Sequence, residues 1–140
     1  MLKGISSILS PELLKILMEM GHGDELVIGD GNFPAASMAK RLVRLDGHGV
    51  PEILDAILSL YPLDTYVDAP VALMAVGVGE SQPPIWSHYD ALVEKHQPGT
   101  VREQVERFAF YERAQKAYAI VATGEGAIYA NIILKKGVIK

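Results

Sequence analysis

Apolar residues along this chain fall into short runs of two kinds, and their alternation predicts the architecture. Leu13, Leu14, Leu17, Met18 and Met20 recur at helical spacing behind Ser10-Pro11-Glu12. That triplet is a helix start: serine caps free amides, proline fits the first turn and glutamate favours the positive end of the dipole. Gly21 is the expected stop. Leu26-Val27-Ile28 reads as a buried strand, and after a loop over residues 32–36 the segment Arg41-Leu42-Val43-Arg44-Leu45 alternates as a second one, closed by Asp46-Gly47. Pro51 opens a helix that turns Ile53, Leu54, Ile57 and Leu58 inward and is stopped by Pro62. Residues 71–78 form a continuous apolar run of strand type, with Gly77, Gly79 and Pro83-Pro84 marking its exit. Trp86, Tyr89, Leu92 and Val93 are the inner stripe of a helix ending at Pro98-Gly99. Residues 118–122 and 131–134 are two further strands, separated by Thr123-Gly124-Glu125-Gly126.

Near-continuous apolar strands with helices between them imply a sheet covered on both faces. The expectation is an α/β fold: a single domain over residues 1–140, built as a three-layer α/β/α sandwich with a mostly parallel central sheet. One segment supports two readings. Thr100-Val101-Arg102-Glu103 matches a capping box, so residues 101–117 read as one long helix; alternatively residues 101–106 are a strand and the helix begins near Phe108.

Composition narrows the functional classes. With 140 residues, 49% of them hydrophobic, the chain can bury about 70% of its unfolded surface. A formal charge of -4 with 13 scattered basic residues gives no electrostatic footprint for nucleic acid. The absence of cysteine removes disulfides, thiolate catalysis and Cys-based zinc sites. No segment approaches the ~20 apolar residues of a membrane span, and the N-terminus lacks the pattern of a signal peptide, so a cytoplasmic protein is expected. Gly29-Asp30-Gly31 is not a dinucleotide fingerprint, no Walker motif is present and no histidine spacing suits a metal. No cofactor is expected.

The chemistry gathers at a few positions. His22 follows the first helix, where it either caps loose carbonyls or serves as a general acid, since free histidine titrates near pH ~6.5. Asp30 ends a strand before Gly31-Asn32; this is turn chemistry, or a ligand-binding carboxylate at the carboxyl end of a strand. His22 and Asp30 thus flank one short strand. Phe108, Phe110 and Tyr111 sit among charges and read as core or subunit-contact residues. Tyr129 and Asn131, two apart at the entry to the last strand, would share one face. His48, His88 and His96 read as surface residues.

Five stretches together carry a resemblance over the whole chain. They are Gly21-His22-Gly23-Asp24, the loop from Asp30 to Pro34, Arg107-Phe108-Ala109-Phe110-Tyr111-Glu112-Arg113-Ala114-Gln115-Lys116, Thr123-Gly124-Glu125, and Tyr129-Ala130-Asn131 closing on Leu134-Lys135-Lys136-Gly137-Val138. In order and without large gaps, they resemble the L-fucose mutarotase branch of the family that includes D-ribose pyranase. The resemblance implies an isomerase that interconverts the α and β anomers of L-fucose by acid–base ring opening and closure. It implies that the proton donor is His22 and that Asp30, Arg107, Tyr129 and Asn131 bind the sugar. The ribose branch tends to have histidine where Arg107 stands, which favours the fucose branch. It further implies a strand just before Arg107, a monosaccharide as partner and a ring-like homo-oligomer with sites near subunit contacts. The alternatives are a ribose-type pyranase and a non-catalytic sugar-binding module.

Overall fold

The computed structural model describes residues 1–140. Its elements run α1 (Pro11–Glu19), β1 (Glu25–Gly29), α2 (Ala35–Met38), β2 (Leu42–Leu45), α3 (Val50–Leu58), β3 (Val71–Met74), α4 (Ile85–His96), β4 (Arg102–Val105), α5 (Arg107–Lys116), β5 (Ala119–Thr123) and β6 (Ile132–Lys135). The six strands form one sheet in the order β2-β5-β1-β6-β3-β4. β1, β2 and β5 pair in parallel, as do β3 and β4, while β6 is antiparallel to both its neighbours, β1 and β3. Five strands therefore point one way and β6 alone is reversed. The sheet is mostly parallel, as the apolar runs implied.

Both faces are covered. Alternate residues of β1 serve opposite sides: Leu26 and Ile28 join the core beneath α1, α3 and α4, and Val27 packs under α2 and α5 with Phe110 and Ala114. Ser10 caps α1 by accepting the Leu13 amide, as its position suggested. No helix is long and apolar enough to cross a membrane.

Several boundaries differ from expectation for identifiable reasons. β3 stops at Met74 rather than continuing to residue 78: its neighbour β4 ends at Val105, whose carbonyl takes the Ala75 amide as the last ladder bond. The chain then turns through Gly77 and Gly79. α3 ends at Leu58, ahead of Pro62, and the loop after Asn32 holds the four-residue α2. Of the two readings of residues 101–106 the strand holds, as the resemblance implied: residues 102–105 are β4, Thr100 donates its hydroxyl to the Gln97 carbonyl instead of capping, and Glu106 caps α5 by accepting the Phe108 and Ala109 amides. Gly21 does not close α1 in a left-handed turn. The Lys136 ammonium reaches the carbonyls of Leu17 and Met20 instead, so His22 is not the cap. His96 is no free surface residue either: its ring, 17% exposed, meets Asp55 at 2.6 Å and joins α4 to α3.

Candidate functional site

With β6 reversed, the carboxyl ends of five strands and the amino end of β6 share one edge of the sheet. Open α/β sheets bind ligands outside this edge. A cleft of about 400 Å³ opens there, within the range of about 300–1,000 Å³ usual for small-molecule sites. Its polar wall is Asp30, Asn32, Glu80, Arg107, Tyr129 and Asn131; Met74 and Ile128, with the rings of Phe33 and Tyr111, form its apolar side. A second cavity, about 290 Å³ between α4 and β3, is walled by Asp90 and Arg102, which pair with each other, and contains none of the candidate residues.

Asp30 leaves β1 into a tight turn in which the Phe33 amide bonds the Asp30 carbonyl. Gly31 makes this turn possible: its amide donates to the Glu125 carbonyl at 2.8 Å, and a Cβ at this position would stand 2.9 Å from that same oxygen. The Asp30 side chain is buried at the cleft floor, where its two oxygens accept the amides of Asn32 at 3.0 Å and Ala130 at 3.3 Å. Burial pushes its carboxyl above the usual range, and the amide bonds only partly offset this. Asn131, also buried, accepts the Asp30 amide through Oδ1 at 2.8 Å, which leaves its side-chain N–H groups for the cleft.

Tyr129 reaches the cleft by a different route from strand alternation. It precedes β6 in a left-handed backbone conformation, φ 53°, the one non-glycine residue with positive φ. Such a conformation costs on the order of 1–3 kcal/mol and persists only where its surroundings hold it. Here buried Trp86 holds it by donating Nε1–H to the Tyr129 carbonyl at 2.8 Å. The Tyr129 phenol oxygen accepts the Gly77 amide at 3.3 Å, so its own hydrogen is free to donate.

Arg107 begins α5, where the helix dipole disfavours a cation. It has no carboxylate partner; its Nε–H lies 3.4 Å from the Tyr111 hydroxyl, the leading cause of its raised pKa, and its guanidinium lies 5.6 Å from that ring. An unpaired guanidinium at the unfavourable end of a helix serves ligand contact better than stability. Of the aromatic run, Phe110 is wholly buried in its own core and unavailable to a neighbour, whereas Phe108 is 67% exposed beside the cleft.

The structure thus brings Asp30, Arg107, Tyr129 and Asn131 together, but not His22. His22 precedes β1 at the opposite edge of the sheet, and at about 3.3 Å per residue the five-residue strand separates the two edges by roughly 17 Å. Its ring is 44% exposed, its Nε2 lies 3.0 Å from Asp64 Oδ1 and its ring centroid is 5.2 Å from that of Tyr66. The Asp64 carboxyl lies below its usual range, first because it accepts the Tyr66 amide and then through His22. Sequence reasoning gave no role to Asp64 or Glu80, and Asn32 entered only as part of the turn after Asp30. For Glu80 the glycine-rich exit from β3 was the available clue, since that loop must leave from the carboxyl edge.

Comparison with known proteins places the family and the fold. The profile of the RbsD / FucU transport protein family matches residues 3–139. The chain is 49% identical to the fucose mutarotase of Homo sapiens, with 99% of this chain and 94% of that protein covered. It is 52% identical to the L-fucose mutarotase of Actinobacillus pleuropneumoniae serotype 5b, covering 99% and 97%. The crystal structure of the fucose mutarotase in complex with L-fucose from Streptococcus pneumoniae superposes with a TM-score of 0.95 at 54% identity, covering 99% of this chain and 100% of that one.

Proposed function

The chain belongs to the RbsD / FucU transport protein family, and from that premise we propose that it is an L-fucose mutarotase, an isomerase that interconverts the α and β anomers of the sugar. The observation that carries this reading is the convergence of Asp30, Arg107, Tyr129 and Asn131, from three separate parts of the chain, on one monosaccharide-sized cleft. Relatives named for the same activity at about half identity support it.

Anomer interconversion opens a cyclic hemiacetal and recloses it on the other face. The anomeric hydroxyl gives up a proton while the ring oxygen gains one. Asp30 accepts hydrogen bonds from sugar hydroxyls, and Arg107, Asn131 and the Tyr129 phenol donate to sugar oxygens. A polar set of this kind discriminates strongly, because a missing hydroxyl leaves buried protein groups unpaired.

His22 is the proton donor to the ring oxygen in this reading, and it acts on the cleft of a neighbouring copy. Its distance from its own cleft supports a shared site. Asp64 holds Nε2–H and leaves Nδ1 to exchange the proton. The homo-oligomer is a ring in which the edge carrying His22, Tyr66 and Val67 meets the edge carrying Phe108 and Ile128. Such a head-to-tail contact between unlike surfaces closes by rotation, and all four apolar residues are exposed in the single chain.

Exchange NMR of the anomeric protons tests the activity directly. The protein is expected to accelerate exchange of L-fucose more than that of D-ribose at matched concentration. Greater acceleration of ribose would move the assignment to pyranase chemistry, and binding without exchange would leave a sugar-binding module.

A further inference from the structure

Ring opening needs a base as well as an acid, and most groups of the cleft cannot serve as one. Arg107 retains its proton at any working pH. Asn131 does not titrate, and Asp30, held by the Asn32 and Ala130 amides, is in the proposed reading the fixed acceptor that binds other sugar hydroxyls. Glu80 lines the same cleft and pairs with no cation.

The way the chain presents Glu80 separates it from an ordinary solvated loop acid. Its amide donates to the Gly77 carbonyl at 3.0 Å, closing a turn with Gly79 at φ +81°. The turn folds the side chain back over Gly77, so that a Cβ there would stand 3.1 Å from Glu80 Oε1 and 3.2 Å from the Tyr129 hydroxyl. Carboxylate and phenol thus approach one point from two elements, and a residue without a side chain at 77 leaves both in place. The Gly77 amide also holds the phenol oxygen, which leaves the phenol hydrogen free to donate.

We propose that Glu80 is the general base of the reaction, taking the proton of the anomeric hydroxyl while Tyr129 donates a hydrogen bond to the sugar beside it. This rests on the mutarotase reading of the cleft. As the O1–H proton passes to Glu80, the C1–O1 bond becomes a carbonyl, the bond from C1 to the ring oxygen breaks and that oxygen takes a proton from His22. Rotation about C1–C2 presents the other carbonyl face. Closure then returns the ring-oxygen proton to His22 and the Glu80 proton to O1, so protons balance and nothing is oxidised or reduced.

The test compares wild type, Glu80→Gln and Glu80→Ala by exchange NMR on L-fucose. Loss of a positioned base should lower kcat about 10²-fold or more while KM changes by less than about threefold. Melting temperature should hold, because the side chain is exposed. Added formate, a small carboxylate, should restore part of the Glu80→Ala rate and none of the Glu80→Gln rate, in which the amide still fills the space. Glu80→Gln exchanging at the rate of an active wild type, or Glu80→Ala indifferent to formate, would overturn the assignment of Glu80 alone. An inactive wild type would overturn the mutarotase reading and this assignment with it.

Discussion

The Asp30 amide donates to Asn131 Oδ1 at 2.8 Å across 101 positions of sequence, and both residues are buried at the floor of the same cleft. This bond ties the end of β1 to the start of β6 and fixes the asparagine so that its N–H groups face the sugar site. It couples the stability of the sheet edge to recognition. Asn131→Ala leaves a buried backbone donor without a partner, which costs about 1–3 kcal/mol. The expected outcome is a lower melting temperature in calorimetry together with weaker L-fucose binding. A variant that loses one without the other would separate the two roles.

If Asp30 binds the sugar as proposed, it sets the pH dependence of binding. Burial raises its carboxyl above the ordinary aspartate value of about 3.9. Sugar affinity that depends on the ionised form is therefore complete above the raised value and lost as pH falls through it, so the decline begins at higher pH than an exposed aspartate would give. Calorimetric titration of L-fucose from neutral to acidic pH should show this decline in wild type. Asp30→Asn should bind weakly with a nearly flat profile over the same range.

Lys136 controls the loop that carries His22. Its ammonium caps the carbonyls of Leu17 and Met20, its carbonyl accepts the Gly23 amide and its amide donates to the Asp24 carbonyl. Lys136→Met removes a charged donor from two helix-end acceptors, a loss of about 1.5–3 kcal/mol for hydrogen bonds of this type. The expected result is a lower denaturation midpoint and a reduced exchange rate, with sugar affinity at the distant cleft retained. Urea unfolding and isothermal titration measure the two effects.

Phe108 is the exposed member of the aromatic run, next to Arg107 at the cleft rim. Phe108→Arg places a charge where the proposed neighbour would pack. Light scattering should show smaller assemblies than wild type, while circular dichroism stays unchanged because Phe108 takes no part in either core cluster. A wild-type mass of about 15 kDa, that of one chain, would reject the oligomer outright.

The sequence disclosed the elements better than their ends, and four residues of the cleft better than their arrangement. Local pattern sufficed for α1 and β1, where Ser10, Pro11 and the Leu26-Val27-Ile28 run carry their own signals. It failed at Thr100-Val101-Arg102-Glu103, because a four-residue capping motif carries no information about a neighbouring strand, and pairing with β3 decides that segment. The reversal of β6 left no trace in its own residues, since an apolar strand buried on both faces reads alike in either direction. His22 and Asp30 looked like partners because eight positions separate them, yet the extended strand between them drives them apart. Tyr129 and Asn131 share the cleft through a left-handed residue held by Trp86, which no periodicity rule anticipates.

That separation yields the sharpest test of the shared site. If His22 acts on a neighbour's cleft, then His22→Ala and Asp30→Asn each inactivate every site of their own homo-oligomer, by removing the proton donor and the binding carboxylate respectively. Each alone should lower exchange on L-fucose about 10²-fold or more, while the His22 variant, which deprives buried Asp64 of one partner, should melt only slightly lower and stay folded. Mixed in equal amounts, dissociated and reassembled, the two proteins place some intact clefts beside intact histidines. Random assembly of a head-to-tail ring restores such a pairing at about one contact in four, so recovery should approach about a quarter of wild-type activity. Mixing without reassembly should recover nothing. A site made within one chain predicts no recovery under either condition, because every chain then carries one lesion in its only site. Recovery on reassembly therefore separates a catalytic unit of two neighbouring copies from one of a single fold.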